Sequence, residues 1–378
     1  MRLRALNLRR PFLSKPLNAL GLMSGTSLDG IDVALLRTDG EDVVERGPAV
    51  TYPYRPDQQA LLQDALREAR PLESRDARPG ILAEAERALT AWHAEAVADF
   101  LRVHPAAVDV IGFHGQTVIH RPERRLTVQL GLGPLLADRT GIPVVFDLRA
   151  ADVAAGGQGA PLVPVYHRAL AAGLNERPVA FVNIGGVANM TWIGREGELV
   201  AFDTGPGNAL LNDWCARHTD VPLDRDGALA SRGHVAADAI GQLLKNNFFA
   251  TAAPKSVDRN AFDSSLLDGL SPEDGAATLT RFTAATIAGS AGLVPEAPRL
   301  YVICGGGRLN PTLMRNLREL IQAPVIAAEE VGFNGDSMEA EAWGYLAVRS
   351  LKALPITFPG TTGASQPRSG GILAKPVK

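Results

Sequence analysis

Cysteine is scarce in this chain of 378 residues, which contains only Cys215 and Cys304. The two residues stand far apart and form no C-x-x-C or zinc-ligand pattern, and they are too few for a disulfide framework. Such usage of cysteine fits a reducing compartment best. We therefore expect a cytoplasmic protein.

Long apolar runs are also missing. No stretch approaches the length of a transmembrane helix, and the segment before Gly21 lacks the continuous apolar stretch of a secretory signal. That segment has no acidic residue, and its basic residues are Arg2, Arg4, Arg9, Arg10 and Lys15. We interpret residues 1–17 as a solvated basic tail, although an Arg-rich, acid-poor start also fits an organelle transit peptide.

A strong charge of one sign is absent, because 38 Lys and Arg residues nearly balance 41 Asp and Glu residues. The composition therefore gives no general attraction to nucleic acid or to an acidic membrane, and we expect neither as a partner. Hydrophobic residues make up 46% and charged residues 21%, as in an ordinary globular enzyme. Any bound anion must be held by a local site.

The length suggests two domains of roughly 100 to 200 residues each, and we expect two lobes with a cleft between them. Period-two and helical patterns alternate along both halves. The predicted strands are 17–23, 31–36, 43–52, 108–113, 143–146, 179–184, 189–193, 199–202 and 300–303. The predicted helices are 57–69, 81–103, 134–139 and 336–350. Residues 355–378 are rich in Gly, Pro and Ser and predict mostly irregular structure.

Two nucleotide-binding fingerprints are missing, namely the G-x-x-x-x-G-K-S/T loop and the G-x-G-x-x-G turn after a strand. Their absence excludes the two commonest nucleotide folds. Three other glycine-rich turns follow apolar strands in this chain. They are Met23-Ser-Gly-Thr-Ser-Leu-Asp-Gly30, Phe202-Asp-Thr-Gly-Pro-Gly-Asn208 and Cys304-Gly-Gly-Gly-Arg-Leu-Asn-Pro311.

The first two turns suit phosphate, because backbone N–H groups approach an anion closely only where side chains are small. Each also has an ordinary structural interpretation. Residues 28–30 read as the tight turn of a β-hairpin, and Asp203 could cap the helix that begins near Asn208. In the third turn, adjacent glycines leave room for a flat ring, and Asn310 with Pro311 predicts a helix start.

Taken in order, these motifs resemble the anhydro-N-acetylmuramic acid kinase family over nearly all of the chain after residue 17. The further matching segments are His114-Gly-Gln-Thr117, Asp147-Leu-Arg149 with Asp152, Gly156-Gly-Gln-Gly-Ala-Pro161, Asn183-Ile-Gly-Gly186 with Asn189, and residues 336–340. The resemblance implies an α/β fold of two ribonuclease-H-like lobes, of the actin-like ATPase type, with a central nucleotide cleft. It places residues 18–150 and 345–378 in the first lobe and residues 151–344 in the second.

The resemblance also implies a reaction. ATP with Mg²⁺ would phosphorylate a small amino sugar, 1,6-anhydro-N-acetylmuramic acid, with water opening the anhydro ring, in the recycling of cell-wall peptidoglycan. By position, Asp203 matches the catalytic base. The nucleotide-binding residues would be Ser24, Gly25, Thr26, Ser27, Leu28, Asp29, Gly30, Ile31, Asp32, Thr204, Gly205, Gly207, Asn208, Gly305, Gly306, Gly307 and Asn310. The metal ligands are not identified, and family habit suggests a homodimer.

Candidate contacts to the sugar are His114, Gln116, Arg149 and Glu339. Arg149 would hold the lactyl carboxylate through two parallel hydrogen bonds, or else form a surface ion pair. Glu339 fits a sugar contact and equally a capping box in which Asp336 is the N-cap. His114 fits a sugar contact and equally a polar strand end.

One loop departs from the family pattern. The family has a Lys-Ser-Thr-Gly-Arg-Glu-like segment where this chain reads Lys255-Ser-Val-Asp-Arg-Asn260, which leaves the role of this loop open. Two alternative functions are a kinase of the same superfamily that acts on a different sugar or a carboxylate, and an ATP-gated switch protein of the same fold.

Overall fold

The computed structural model describes residues 15–25, 27–257, 261–262 and 264–377. The chain divides into two compact units. The first contains the chain up to Gly159 together with Glu339–Thr357 and the residues from Gln366 onward. The second contains Ala160–Met338 and Phe358–Ser365.

The strands alternate with helices along the chain. In chain order the strands are β1 (Leu17–Met23), β2 (Gly30–Thr38), β3 (Val44–Pro53), β4 (Val110–Phe113), β5 (Gln116–Arg121), β6 (Leu126–Leu130), β7 (Val144–Phe146), β8 (Val179–Ile184), β9 (Val187–Ile193), β10 (Leu199–Pro206), β11 (Leu300–Cys304), β12 (Val325–Ala327) and β13 (Ile372–Ala374). The α-helices are α1 (Pro56–Glu68), α2 (Leu82–Val103), α3 (Gly133–Thr140), α4 (Ala150–Ala154), α5 (Pro164–Ala171), α6 (Ala209–His218), α7 (Ala237–Leu243), α8 (Pro272–Gly289), α9 (Pro311–Leu320), α10 (Met338–Leu351) and α11 (Pro359–Thr362). Among the residues that the structure describes, no helix has both the length and the apolar character needed to cross a lipid bilayer.

The first unit is built on a sheet with the strand order β13-β7-β4-β1-β2-β3. The antiparallel strands β1 to β3 form a meander, and β4 and β7 extend it in parallel from β1. Both β4 and the inner strand β1 are buried on both faces: Leu20, Leu22 and Phe113 lie on one face, and Ala19 and Val110 lie on the other. The apolar face of α2, including Phe100, packs into the same cluster.

The second unit repeats this order, with strands β10-β9-β8-β11-β12. Strands β8 to β10 form an antiparallel meander, and β11 and β12 run parallel to β8. A second apolar cluster around Trp214 and Phe282 joins α6 and α8. Each unit is therefore an α/β lobe with ribonuclease-H-like strand order, which confirms the predicted fold class.

The sequence prediction located many of the elements and missed four strands and several helices, among them the long helix α8. The predicted strands and helices all appear, within a few residues at their ends. The sequence does not predict β5 and β6, which pair with each other, β12, which pairs with β11, or β13, which pairs with β7. These are short strands whose partners are distant or whose pattern is mixed, so their local sequence gives little signal.

Candidate active site

The first glycine-rich turn is a wider loop than predicted. The last pair between β1 and β2 joins Met23 to Asp32, so the chain does not turn at residues 28–30 alone. Within the loop, the described residues form one hydrogen bond, from Leu28 N–H to the Gly25 carbonyl at 3.3 Å. Leu28 adopts a left-handed conformation with φ of 58° and its side chain is buried. The tight-turn interpretation was therefore wrong, because β2 begins at Gly30 and the residues before it form an open loop.

Ser24 is fully buried and its hydroxyl group is already bonded within the protein. The hydroxyl donates to Oε1 of Gln116 at 2.7 Å and lies 2.8 Å from the Tyr54 hydroxyl. Gln116 is also fully buried. A phosphate contact from Ser24 would consequently come from backbone, and Gln116 acts on the loop through Ser24.

Tyr54, which no sequence motif indicates, contacts this loop twice. Its hydroxyl bonds to Ser24, and its backbone N–H donates to the Asp29 carbonyl at 3.0 Å. The Gln59 amide supports the same end of the loop by donating to the Leu28 carbonyl at 3.0 Å. The only sequence signal for Tyr54 was its place directly after β3.

The remaining residues of the first loop have different surroundings. Ser27 and Asp29 are exposed and Ile31 is buried. The Asp32 carboxylate accepts a hydrogen bond from the Thr51 hydroxyl on the neighbouring strand. A side chain at Gly30 would lie 2.5 Å from the Tyr52 carbonyl oxygen, so glycine is required there. Thr26 lies outside the described residues.

His114 directly follows β4, and both of its ring nitrogens have protein partners. Nδ1 lies 3.1 Å from the Ser24 carbonyl oxygen, and Nε2 lies 3.2 Å from Nη2 of Arg149. The ring packs against Trp343 at a centroid distance of 4.6 Å. Burial and the Arg149 charge hold the pKa of His114 well below its usual value, so the ring is neutral. His114 is therefore more than a polar strand end, because it connects the first loop to Arg149.

Among the described residues no carboxylate forms an ion pair with Arg149, so the surface ion-pair interpretation is not supported there. Its Nη1 donates to the Gly159 carbonyl at 2.9 Å, and the guanidinium lies 5.1 Å from the Trp343 ring centroid. Nε is buried and has no hydrogen-bond partner among the described residues. Burial lowers the pKa of Arg149 to about 10, while the charge of Glu339 opposes this shift, so Arg149 stays cationic at neutral pH.

Asp203 in the second unit lies near the end of β10. A β-bulge between Asp203 and Gly205 interrupts the pairing with β9, which is a common way to redirect a side chain near a site. Oδ2 of Asp203 accepts a hydrogen bond from Val257 N–H at 2.9 Å. Asp203 does not cap α6, because that helix begins at Ala209 after Asn208. Burial raises the pKa of Asp203 to about 6, against the lowering effects of the Val257 N–H and the Lys255 charge.

The altered loop supports Asp203 directly. Asp203 N–H donates to the Lys255 carbonyl at 2.9 Å, so this segment runs beside the end of β10. The Lys255 side chain is buried, donates to the Phe248 carbonyl at 2.7 Å and lies 4.2 Å from the Phe248 ring centroid. Residues 258–260 lie outside the described residues. The loop therefore has a role at this site through Lys255 and Val257, which the sequence comparison left open.

The second and third glycine-rich turns both contact residues 183–186. Asn208 donates from its side chain to the Ile184 carbonyl at 3.2 Å and from its backbone N–H to the Gly185 carbonyl at 2.7 Å. A side chain at Gly207 would lie 2.2 Å from the Gly185 carbonyl oxygen. The Thr204 hydroxyl points inward and donates to the Ala188 carbonyl. Both turns thus pack directly against residues 183–186, a contact that their sequence motif does not indicate.

The third turn leaves one open backbone position. A side chain at Gly305 would meet Asn183, and one at Gly307 would meet Ile184, both within 2.5 Å. Gly306, by contrast, has no atom within 4 Å of the position that a side chain would take. Asn310 is the N-cap of α9, since its side chain accepts from Leu313 N–H at 3.0 Å, as the sequence predicted for the helix start.

Arg308 fixes the third turn to the segment before α10. It donates two hydrogen bonds of 2.8 Å to the Asp336 carboxylate, one to Glu329 and one to the Gly305 carbonyl. Helix α10 begins at Met338, so Ser337 rather than Asp336 precedes the first helical residue. The capping-box interpretation of Asp336 was therefore wrong. Glu339 lies in the first turn of α10.

A cavity of about 360 Å³ opens in the first unit beside His114, which is the only predicted site residue in its lining. The arginine side chains that line it form ion pairs with acidic side chains of the same lining. Arg78 bonds to both oxygens of Glu86, and Arg75 pairs with Asp147. These pairs fix the loop that precedes α2 and leave no unpaired cation facing the cavity from either arginine.

Metal ligands do not form a cluster in the part of the chain that the structure describes. No group of three or more His, Cys, Asp or Glu side chains there could hold a metal ion. The predicted residues instead form separate groups. In the first unit Ser24, Gln116, His114 and Arg149 form one hydrogen-bonded group, and in the second unit the two glycine-rich turns meet at residues 183–186.

Comparison with known proteins gives one consistent match. A sequence model of the family described as anhydro-N-acetylmuramic acid kinase matches residues 17–375. The anhydro-N-acetylmuramic acid kinase of Agrobacterium fabrum is 52% identical over 366 residues, covering 94% of this chain and 98% of that protein. Those of Rhodopseudomonas palustris and Azorhizobium caulinodans are each 54% identical, covering 95% and 96% of this chain and 100% of each relative.

Proposed function

Because the chain belongs to the anhydro-N-acetylmuramic acid kinase family, we propose that it is an ATP-dependent kinase that converts 1,6-anhydro-N-acetylmuramic acid to N-acetylmuramic acid 6-phosphate. The Asp203 carboxylate carries the chemical part of this proposal. It is partly buried and accepts a hydrogen bond from the Val257 N–H, and burial raises its pKa to about 6. A base with such a pKa is ionised at neutral pH and still binds a proton readily.

Asp203 is the general base for ring opening. Water attacks the anomeric carbon and gives one proton to the Asp203 carboxylate, while the bond from that carbon to the bridging oxygen breaks. The bridging oxygen becomes O6 and forms a bond to the γ-phosphorus, and the bond from phosphorus to the leaving ADP breaks. The Val257 N–H orients the carboxylate so that one of its oxygens remains available for the proton.

The first loop binds phosphate through its backbone. The inward Ser24 hydroxyl and the bonds from Tyr54 to both ends of the loop support this role, because preorganised N–H groups stabilise charge on the transferred phosphoryl group. Mg²⁺ bound with ATP would neutralise part of that charge. It commonly takes most ligands from phosphates and water and only one or two carboxylates, so Asp32 beside the loop would suffice as a protein ligand.

Arg149 binds the lactyl carboxylate of the sugar. Its buried, unpartnered Nε and its retained positive charge support this assignment, since a guanidinium binds a carboxylate best through two parallel N–H donors. Glu339, whose charge acts on Arg149, is a second candidate contact to the sugar. The open backbone at Gly306 is the candidate surface for the adenine ring.

The setting of the reaction also belongs to this proposal. We assign the protein to peptidoglycan recycling in the cytoplasm, working as a homodimer without nucleic-acid or membrane partners. Two buried free cysteines and a net charge of −3 are compatible with that setting. A kinase for another sugar or a carboxylate, and an ATP-gated switch, are the competing functions, and no contact in either unit favours them.

The test is ADP release with Mg²⁺ and ATP in the presence of 1,6-anhydro-N-acetylmuramic acid, N-acetylmuramic acid or no sugar. We expect turnover only with the anhydro sugar, and its loss in Asp203→Asn. The exposed Asp220→Asn is the matched control and should keep full activity. Equal rates in the three conditions would favour an ATPase or switch, and turnover with N-acetylmuramic acid alone would favour a different sugar kinase.

A further inference from the structure

A continuous chain of hydrogen bonds connects the candidate sugar-binding arginine to the first loop. It runs from Nη2 of Arg149 to Nε2 of His114 at 3.2 Å, and from Nδ1 of His114 to the Ser24 carbonyl at 3.1 Å. All three residues belong to the first unit. From the sequence alone, His114 fits a contact to the sugar and equally a polar strand end, and neither interpretation includes these two hydrogen bonds.

The partners of His114 determine its protonation state. The Ser24 carbonyl can only accept, so Nδ1 must carry the proton, and the Arg149 guanidinium can only donate, so Nε2 must be the acceptor. A second ring proton, on Nε2, would point toward the N–H of Arg149, and two donors would face each other. His114 is therefore a neutral Nδ1–H tautomer that accepts at one nitrogen and donates at the other.

Both ends of this chain are fixed by other contacts. Arg149 is held by the Gly159 carbonyl and the Trp343 ring, and Ser24 is held by Tyr54 and Gln116. If the Arg149 guanidinium moves, Ser24 is therefore not free to move with it. It must change the geometry of at least one hydrogen bond to His114.

The hydrogen bond to Ser24 also determines the direction of a backbone donor. In a planar trans peptide, the Ser24 carbonyl and the Gly25 N–H point to opposite sides. The hydrogen bond from His114 keeps the Ser24 carbonyl oxygen turned toward the imidazole ring. The Gly25 N–H therefore points away from the ring. That N–H has no hydrogen-bond partner among the described residues, so it is available to a phosphate oxygen.

We propose that His114 is a positioning residue that couples binding of the sugar carboxylate at Arg149 to the phosphate-binding geometry of the first loop. A carboxylate on Arg149 adds a further contact to the guanidinium that donates to His114, and so stabilises the chain of hydrogen bonds that holds the Ser24 peptide ready for phosphate. Sugar and nucleotide thereby bind more tightly together than separately, and the effect is reciprocal. This inference rests on the proposed function, since it takes Arg149 as the site of the sugar carboxylate.

Two substitutions separate the links of the chain. In His114→Asn the side-chain amide can take the position of Nδ1 and donate to Ser24, but nothing remains to accept from Arg149. In His114→Gln the longer side chain can accept from Arg149 but no longer donates to Ser24. His104→Asn and His104→Gln, at the end of α2, are matched controls outside the chain of contacts.

The experiment measures binding of a non-hydrolysable ATP analogue with Mg²⁺ by calorimetry, with and without 1,6-anhydro-N-acetylmuramic acid, on the full chain. We expect the sugar to tighten analogue binding about tenfold in the unaltered protein and in the His104 variants, within the usual range of such coupling. We expect this factor to fall to about one in both His114 variants. Thermal unfolding of each variant checks that the fold is kept.

The outcomes separate this inference from the proposed function. If the sugar is bound and phosphorylated, yet the coupling factor in both His114 variants equals that of the unaltered protein, His114 is not the coupling residue. A protein that binds both ligands with no coupling also overturns the inference. If the sugar neither binds nor supports turnover, the proposed function itself fails.

Discussion

The Val257 N–H donates a 2.9 Å hydrogen bond to Oδ2 of Asp203, a residue 54 positions earlier in the chain. The neighbouring Lys255 carbonyl accepts from Asp203 N–H, so one short segment holds both the backbone and the side chain of Asp203. The orientation and the acidity of the candidate base therefore depend on a loop that lies far from it in sequence. Several measurable properties follow from this arrangement.

The pH dependence of catalysis should reflect the pKa of Asp203, which is about 6. A base must be ionised to take a proton, so kcat/KM should be constant above this pH and fall as the pH decreases through about 6. The pH profile of ADP release with saturating ATP provides the measurement. An acid limb near the usual value for an aspartate would contradict the assignment.

The same group predicts an effect on stability. The folded-state pKa of Asp203 is raised from 3.8 to about 6, so the folded state binds more protons and loses stability as the pH rises through this interval. At pH 8, Asp203→Asn should therefore increase the free energy of unfolding by about 2 kcal/mol, less than the full shift implies because the carboxylate is partly open to solvent. At pH 4 the difference should vanish. Denaturant unfolding at the two pH values tests this. A lower free energy of unfolding for the variant at pH 8 would show that burial does not destabilise the ionised carboxylate.

Lys255→Met tests the electrostatic support of the base. The Lys255 charge lowers the pKa of Asp203, so its removal should move the acid limb of kcat/KM to a higher pH. The exposed Lys245→Met is the control and should leave the limb in place. A shift to lower pH in Lys255→Met, or none at all, would mean that the Lys255 charge does not act on the base.

Gly306→Ala tests the adenine surface. The added methyl group has no protein atom within 4 Å, so the variant should fold with an unchanged Tm. If the ring lies on this backbone, the methyl group occupies its place, and KM for ATP should rise about tenfold or more, as for one surplus carbon in a close-fitting pocket. Gly292→Ala, whose surroundings are equally open, is the control. An unchanged KM for ATP would place the adenine elsewhere.

Tyr54→Phe tests the support of the first loop. The change removes the hydroxyl that lies 2.8 Å from Ser24 and leaves the backbone bond to Asp29 intact. We expect a loss of about 1 kcal/mol in stability together with a higher KM for ATP. Tyr52→Phe serves as the comparison, because no hydrogen bond of its hydroxyl is found among the described residues. Equal nucleotide kinetics in the two variants would rule out a role for Tyr54 at the loop.

Local sequence determined the main elements of this protein. Periodicity predicted α2 and the meander β1 to β3, because burial of one face or of both faces leaves a pattern in the residues themselves. The start of α9 was equally local, since Asn310 caps a helix whose first N–H groups are only a few residues away. The order of the glycine-rich motifs was enough to indicate the family.

Tertiary structure decided the contacts within the candidate site. Whether Ser24 faces a phosphate or the protein interior depends on Tyr54 and Gln116, and the protonation of His114 depends on Arg149. No local pattern encodes these pairings, because hydrogen bonds and desolvation act between groups that only folding brings together. The raised pKa of Asp203 has the same origin, since burial and the Val257 N–H exist only in the folded chain.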